Sequence, residues 1–334
     1  MNSADPTSPS SQARWPYEQL ATLVRALPPW LFALLSLFGI FVLYQLVGGV
    51  LTFVVLGTDL DETTVTAYRV ATMGAQVVFL LVPTLLLARL RFPSVRNVFR
   101  FERVQPLQIA LALVSVLALQ QMLQVYLLLQ DALPIELPPL LRHLLDQLRE
   151  MMEQLYRTLT AAESFGEFLF VVFVIAVTPA VCEELLFRGL IQRALEGGEE
   201  EVQTLSVEER RKRSLTAAVT TGIVFACYHL NPFTFVPLAA LGVYFGYLVY
   251  RTQNILPAIA AHFFNNFLAC LAVYLGVDEN FIALSPGDRL DPGTIALTVA
   301  VSTAVFGAAT YLLIRRTSPR QLDRSVPTMH HNVQ

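Results

Sequence analysis

Three groups of polar side chains interrupt long apolar stretches of this chain: Glu183, Glu184 and Arg188; then His229; then His262 with Asn265 and Asn266. Ionisable groups in hydrocarbon are costly, so such a cluster marks a functional site unless something else accounts for it. Together the three groups supply a carboxylate base, two proton-carrying imidazoles and amide donors, the set that hydrolysis of an acyl bond uses.

Spacing decides what each group can do if its stretch is helical. Glu184 and Arg188 stand four apart and can pair along one face. Glu183 lies about 100° further round and is free to point elsewhere. Pro179 cannot donate to the carbonyl four residues before it, which predicts a disturbed helix just ahead of the acidic pair. Phe225 and His229 share a face at i, i+4, and His262, Asn265 and Asn266 form one polar face at i, i+3, i+4. Each group also has a plain reading: charges in the headgroup zone, a hydrogen-bonded core histidine, and amides that hold helices together. The combination on three successive segments is harder to explain that way.

The elements that must position them are membrane helices. The chain has 334 residues, 54% hydrophobic and 15% charged, with a mean hydropathy of +0.54. That balance predicts an all-α integral membrane protein in one bundle. Apolar runs near the ~20 residues that cross a bilayer number about eight, at roughly 30–55, 67–90, 105–129, 166–192, 215–230, 233–250, 255–277 and 294–314. Asn231-Pro232 separates the fifth from the sixth and predicts a tight helical hairpin. The domain plan is a cytoplasmic N-terminal tail over 1–28, a polytopic membrane domain over 29–316 and a tail over 317–334, with 1–16 and 317–334 reading as disordered from their Ser, Pro, Thr, Asn and charge. The polar start and the length of the first apolar run argue against a cleaved signal peptide.

Arg and Lys cluster in the even-numbered loops and the tail, at Arg89, Arg91, Arg96, Arg100 and Arg103, at Arg193 and 210–213, at Arg251, and at Arg315, Arg316, Arg320 and Arg324. The positive-inside rule therefore predicts that both termini are cytoplasmic, most plausibly in a bacterial cell membrane. The third loop carries an amphipathic helix with Leu140, Leu141, Leu144, Leu145, Leu148, Met151, Met152, Leu155 and Leu159 on one side, expected on the outer membrane face or as a cap on the bundle, with His143 on its solvated side. Residues 196–213 read as a solvated connector. Cys182, Cys227 and Cys270 read as small core residues, with a thiol nucleophile as the lesser alternative. A net charge of -3 without a basic stripe gives no reason to expect nucleic acid as a partner.

Glu183-Glu184-x-x-x-Arg188, Phe225-x-x-x-His229 and His262-x-x-x-Asn266, in that order on successive apolar segments, resemble the three motifs of the type II CAAX prenyl endopeptidases and their prokaryotic relatives, the CPBP (Abi) family of intramembrane proteases. The motifs cover 165–277. The resemblance implies an endopeptidase whose site lies within the membrane and opens towards the cytoplasm, acting on a peptide or lipidated protein substrate among membrane lipids. By similarity Glu183 activates water, His229 assists, His262 and Asn266 stabilise the oxyanion, and Glu184, Arg188, Phe225 and Asn265 support them. The cofactor is none, or Zn²⁺ held by Glu183, His229 and His262. The absence of a contiguous His-Glu-x-x-His helix favours the metal-free mechanism. The alternatives are a non-catalytic membrane scaffold or bacteriocin-immunity-type partner, and an ion-coupled transporter. The transporter reading is weakened because the polar groups have no counterpart before residue 180. The sequence leaves substrate identity and oligomeric state open.

Overall fold

A computed structural model describes residues 16–57, 64–133, 138–197, 204–276 and 291–317, all of it helices and their connections, with no strand among the described residues. We number the helices α1 (Pro16–Ala26), α2 (Pro29–Leu56), α3 (Val65–Arg91), α4 (Val95–Phe99), α5 (Pro106–Ala132), α6 (Pro139–Thr160), α7 (Phe165–Glu196), α8 (Val207–Tyr228), α9 (Phe235–Thr252), α10 (Leu256–Tyr274) and α11 (Pro292–Arg316). Prolines in the first turns of α2, α5, α6, α10 and α11 start these helices where a missing N–H costs nothing. The tails expected to be disordered at 1–16 and 317–334 lie almost wholly outside the described residues.

Seven described helices are long and apolar enough to cross a membrane: α2, α3, α5, α7, α9, α10 and α11. They make the protein an integral membrane bundle. The expected fifth span, 215–230, is the second half of α8, which does not meet that measure. Its start is a capping box in which the Ser206 hydroxyl accepts from the Glu209 N–H and the Glu209 carboxylate accepts from the Ser206 N–H at 2.8 Å. The Ser206 hydroxyl and N–H hold that exposed carboxyl below its ordinary range. Residues 208–213, Glu-Glu-Arg-Arg-Lys-Arg, follow, so α8 begins in the aqueous layer and enters the apolar bundle several turns later.

Long helices distort where prolines interrupt the ladder. A π-helical stretch over Phe173–Val177 precedes Pro179 in α7, and another over Gln76–Leu81 precedes Pro83 in α3. The hairpin of α8 and α9 turns at Leu230, in the left-handed region with φ 52°, and the Asn231 side chain accepts from the N–H groups of Phe233 and Thr234 at 3.0 and 3.3 Å. The two helices cross at glycine. A Cβ on Gly222 would lie 2.3 Å from the Val243 nitrogen, and one on Gly242 2.8 Å from the Gly222 carbonyl oxygen. Backbones this close are the small-residue packing that membrane helices use where no hydrophobic effect drives them together.

The amphipathic helix of the third loop is present as α6, with Leu140, Leu144, Met151 and Leu155 exposed along it. Buried Arg69, near the start of α3, anchors its far end by donating to the carbonyls of Leu159, Thr158 and Ala161 and, at 2.6 Å, to the Glu167 carboxylate. At the opposite end of α3, Arg91 donates to the carbonyls of Val24, Arg25 and Leu27, holding α1 against the other face of the bundle. Both arginines cap the carbonyl end of a short amphipathic helix.

Two expectations are corrected. The connector at 196–213 is not solvated throughout: Glu196 is buried and paired with Arg100, which burial and then the Glu196 carboxylate pull in opposite directions, the guanidinium ending below its ordinary range. Cys227 is exposed on the outer side of α8 rather than in the core, while Cys182 and Cys270 are buried. Position 227 belongs to the face of α8 opposite the one that packs.

Candidate active site

The side chains that the sequence groups on three segments converge. Glu183 Oε2 lies 3.8 Å from His229 Nε2 and 4.0 Å from His262 Nε2. They share a cavity of about 250 Å³ with Phe225, Phe245, Asn265, Asn266 and Tyr156, among others. Helix α7 brings the carboxylate, the last turn of α8 the first imidazole, and α10 the second imidazole with both asparagines.

The adjacent carboxylates have separate surroundings, as their 100° offset requires. Glu184 is fully buried, and its Oε1 accepts from Arg188 Nη1 at 3.0 Å and from His262 Nδ1 at 2.9 Å. Arg188 donates further to the carbonyl of Gly242 at 2.7 Å, and its guanidinium stands 4.7 Å above the Phe225 ring. The charge is thus held by a carboxylate, a carbonyl and an aromatic face. The glycine contact that lets α9 approach also leaves the Gly242 carbonyl within reach of the arginine. Glu183 is 12% exposed, and its Oε2 is buried with no hydrogen-bond partner.

Each imidazole is oriented by its other nitrogen. His229 Nδ1 stands 2.7 Å from the Phe225 carbonyl, which only accepts, so Nδ1 carries a proton. His262 Nδ1 likewise faces the Glu184 carboxylate, and its ring is stacked on Phe245 at 5.3 Å and meets Phe225 edge-on at 5.7 Å. In neutral rings both Nε2 atoms therefore present lone pairs towards Glu183.

Asn266 Nδ2 donates to the Ile175 carbonyl at 3.1 Å, and Asn265 Nδ2 donates to Asn266 Oδ1 at 3.2 Å. Ile175 is four residues before Pro179, so the proline leaves this carbonyl without its ordinary helical donor and Asn266 supplies one from α10. One of the two Asn266 N–H bonds is thereby committed to joining α7 and α10.

Sequence reasoning missed Phe245, Gly242, Ile175 and Tyr156. Two had a readable signal: Gly242, because glycine in an apolar helix marks a close approach, and Ile175, from the position of Pro179. Phe245 is one of many phenylalanines, and Tyr156 lies on an amphipathic helix with no sequence link to the motifs.

Two imidazole nitrogens and a carboxylate oxygen are the right donor types for a catalytic zinc. Ligands of a tetrahedral ion at ~2.0–2.1 Å stand about 3.3–3.4 Å apart, and the separations of 3.8 and 4.0 Å from Glu183 are wider. Among the described residues no group of three or more His, Cys, Asp or Glu side chains has metal-holding geometry. A water hydrogen-bonded to all three atoms at about 2.8 Å fits the gap.

Lining residues also tell which way the cavity runs. On α7 they are Ile175, Pro179 and Glu183; on α9 Leu238, Leu241 and Phe245; on α10 His262, Asn265, Asn266 and Ala269. From the level of Glu183, Phe245 and His262, every other one lies toward the helix ends at 165, 235 and 274, where α6 crosses and contributes Tyr156. Toward the ends at 196, 252 and 256, Leu186, Leu190, Leu248, Val249, Ile255 and Ala258 are at most 1% exposed and close the bundle.

Fold and site together define a polytopic helical membrane protein with a carboxylate and two imidazoles around a cavity inside the bundle. Residues 165–268 match a family model described as type II CAAX prenyl endopeptidase Rce1-like. The match starts at the first residue of α7 and ends within α10, so it takes in all the motif residues and leaves out α2, α3, α5 and α11. This block belongs to the CPBP/CAAX intramembrane protease family, which gives the protein a protease role at the membrane. No curated protein and no solved structure matches the chain.

Proposed function

We propose that this protein is an intramembrane endopeptidase in which Glu183 activates the attacking water without a metal ion. The observation that carries the reading is the partnerless Glu183 Oε2 facing two Nε2 atoms at 3.8 and 4.0 Å inside a cavity.

Water held between Glu183 and the two imidazoles loses a proton to the carboxylate as its oxygen attacks the peptide carbonyl. The proton then passes to the leaving nitrogen as the C–N bond breaks, and the carboxylate is restored. His229, whose Nδ1 is anchored within its own helix, accepts a hydrogen bond from the water through Nε2 and steadies it. His262 Nε2 donates to the oxyanion when the ring is doubly protonated, a charge faced by Glu184 on the Nδ1 side. The second N–H of Asn266 is the amide donor left for the same oxygen, with Asn265 holding the amide plane. Donors aimed at a developing oxyanion in a site shielded from water contribute on the order of 10²–10³ in rate each. Glu184, Arg188 and Phe225 position His262.

The substrate class is a membrane-associated polypeptide. The test is a comparison of peptide termini near membrane segments in cells carrying wild-type protein and Glu183→Gln. New termini present only with wild type support hydrolysis. Identical termini, with any cellular phenotype kept by the variant, point to a scaffold instead. Activity that survives a strong chelator supports the water-only mechanism; loss that zinc restores overturns that part.

A further inference from the structure

Two expectations from the sequence conflict once the cavity's direction is known. The basic residues predict that the ends of the helices at 91, 196, 252 and 316 are cytoplasmic, while the family resemblance implies a site opening to the cytoplasm. The cavity opens at the other ends. Its floor is the Glu183–His262 level, its cytoplasm-directed side is shut by apolar side chains at most 1% exposed, and its lining continues through Asn265, Asn266 and Ala269 towards α6.

Charge on the two ends is unequal. Arg91, Arg103, Arg210, Arg211, Arg251 and Arg316 stand at the shut end or in its loops; Arg142, Arg149 and Arg157 of α6 stand at the open end among acidic residues. Acidic groups carry little weight in setting topology, so the excess of Arg and Lys fixes the shut end inside.

We propose that the cavity takes its substrate from the non-cytoplasmic side: a membrane-anchored polypeptide whose scissile bond lies within the outer part of the bilayer, admitted past α6. A prenylated C-terminus in the cytoplasm would meet the closed end. Helix α6 has the properties of a strap over this opening. Its apolar side chains are exposed, its C-terminal carbonyls are held by Arg69, and Arg149 is paired with Asp131 at 2.8 Å and stands 4.7 Å from the Phe233 ring at the α8–α9 turn. Tyr156, one turn before the Arg69 anchor, is the strap residue that reaches the cavity. It is assigned as a residue that substrate passes, and so as a determinant of specificity.

The proposal rests on the Glu183 cavity being the place of hydrolysis, and its test is blind to hydrolysis, so the two fail separately. In a Cys227→Ser background, which removes the exposed native thiol, the variants Tyr156→Cys, Leu140→Cys and Arg211→Cys are treated with a membrane-impermeant maleimide in intact cells and after permeabilisation. Expected are labelling of Tyr156→Cys and Leu140→Cys in intact cells, and labelling of Arg211→Cys only after permeabilisation. Leu140, exposed on α6, keeps the orientation readable if Tyr156→Cys does not accumulate. Labelling of Arg211→Cys in intact cells, or of Leu140→Cys only after permeabilisation, overturns the proposal. Failure of Tyr156→Cys to react under both conditions while Leu140→Cys reacts overturns the role of Tyr156.

Discussion

Helices α7 and α2 are both apolar enough to span a bilayer, and they are used in opposite ways. Half of the span window of α7 is buried, against 11% for α2. Helix α7 carries Glu183, Glu184, Arg188, Gln192 and Glu196; α2 has no charged residue from Pro29 to Leu56. The polar side chains α2 does have turn inward, Gln45 donating to the Tyr228 carbonyl at 3.0 Å and Tyr44 accepting from Gln76 at 3.4 Å. Lipid tolerates the outward side of α2 because it offers hydrocarbon to hydrocarbon. The charges of α7 are tolerated because other helices enclose them and supply partners, which is why a single segment can be both the most charged and among the most buried.

The contrast can be broken most forcefully at Glu184. Glu184→Leu leaves Arg188 without its carboxylate and frees His262 Nδ1, with an expected loss of about 3–5 kcal/mol of stability and of activity as well; thermal unfolding in detergent and membrane yield read it. Glu183→Gln, one residue away, should lower hydrolysis by about 10²–10⁴ and leave the unfolding midpoint in place, because Oε2 has no partner to lose. A midpoint that falls with Glu183→Gln would mean that both glutamates are structural. Gly222→Val forces α8 from α9 and should cost about 1–3 kcal/mol, read by unfolding, with Arg188 losing its grip on Gly242. Asn266→Ala removes the donor to the Ile175 carbonyl, a loss of about 0.6–1.7 kcal/mol together with a fall in rate, since its remaining N–H goes too. On α2, Val54→Ala at 71% exposure should change stability by less than about 0.5 kcal/mol; a larger loss would mean that this side of α2 packs against protein rather than lipid.

Much of the architecture was legible because the bilayer imposes one-dimensional rules. Apolar runs placed α2, α3, α5, α7, α9, α10 and α11 within a few residues of their ends, and period 3.6 gave α6. Helix α8 was harder, since its first turns are charged and only its second half is apolar; hydropathy alone set its start at 215 instead of Val207. Of the site, the pairing of Glu184 with Arg188 and the separate direction of Glu183 follow from helical angles alone. The salt bridge of Arg100 with Glu196 was not legible, because nothing local links residues 96 positions apart.

By itself the sequence determined which side chains are available and which face of its own helix each occupies, because a helix fixes angle and rise for every residue in it. Tertiary structure decided which faces meet, through the glycine crossing of α8 on α9, the proline-freed carbonyl taken by Asn266, and the arginines at the two ends of α3. It also decided which end of the cavity is shut. That depends on side chains from several helices filling one level of the bundle, a property of their packing in space that no single segment carries.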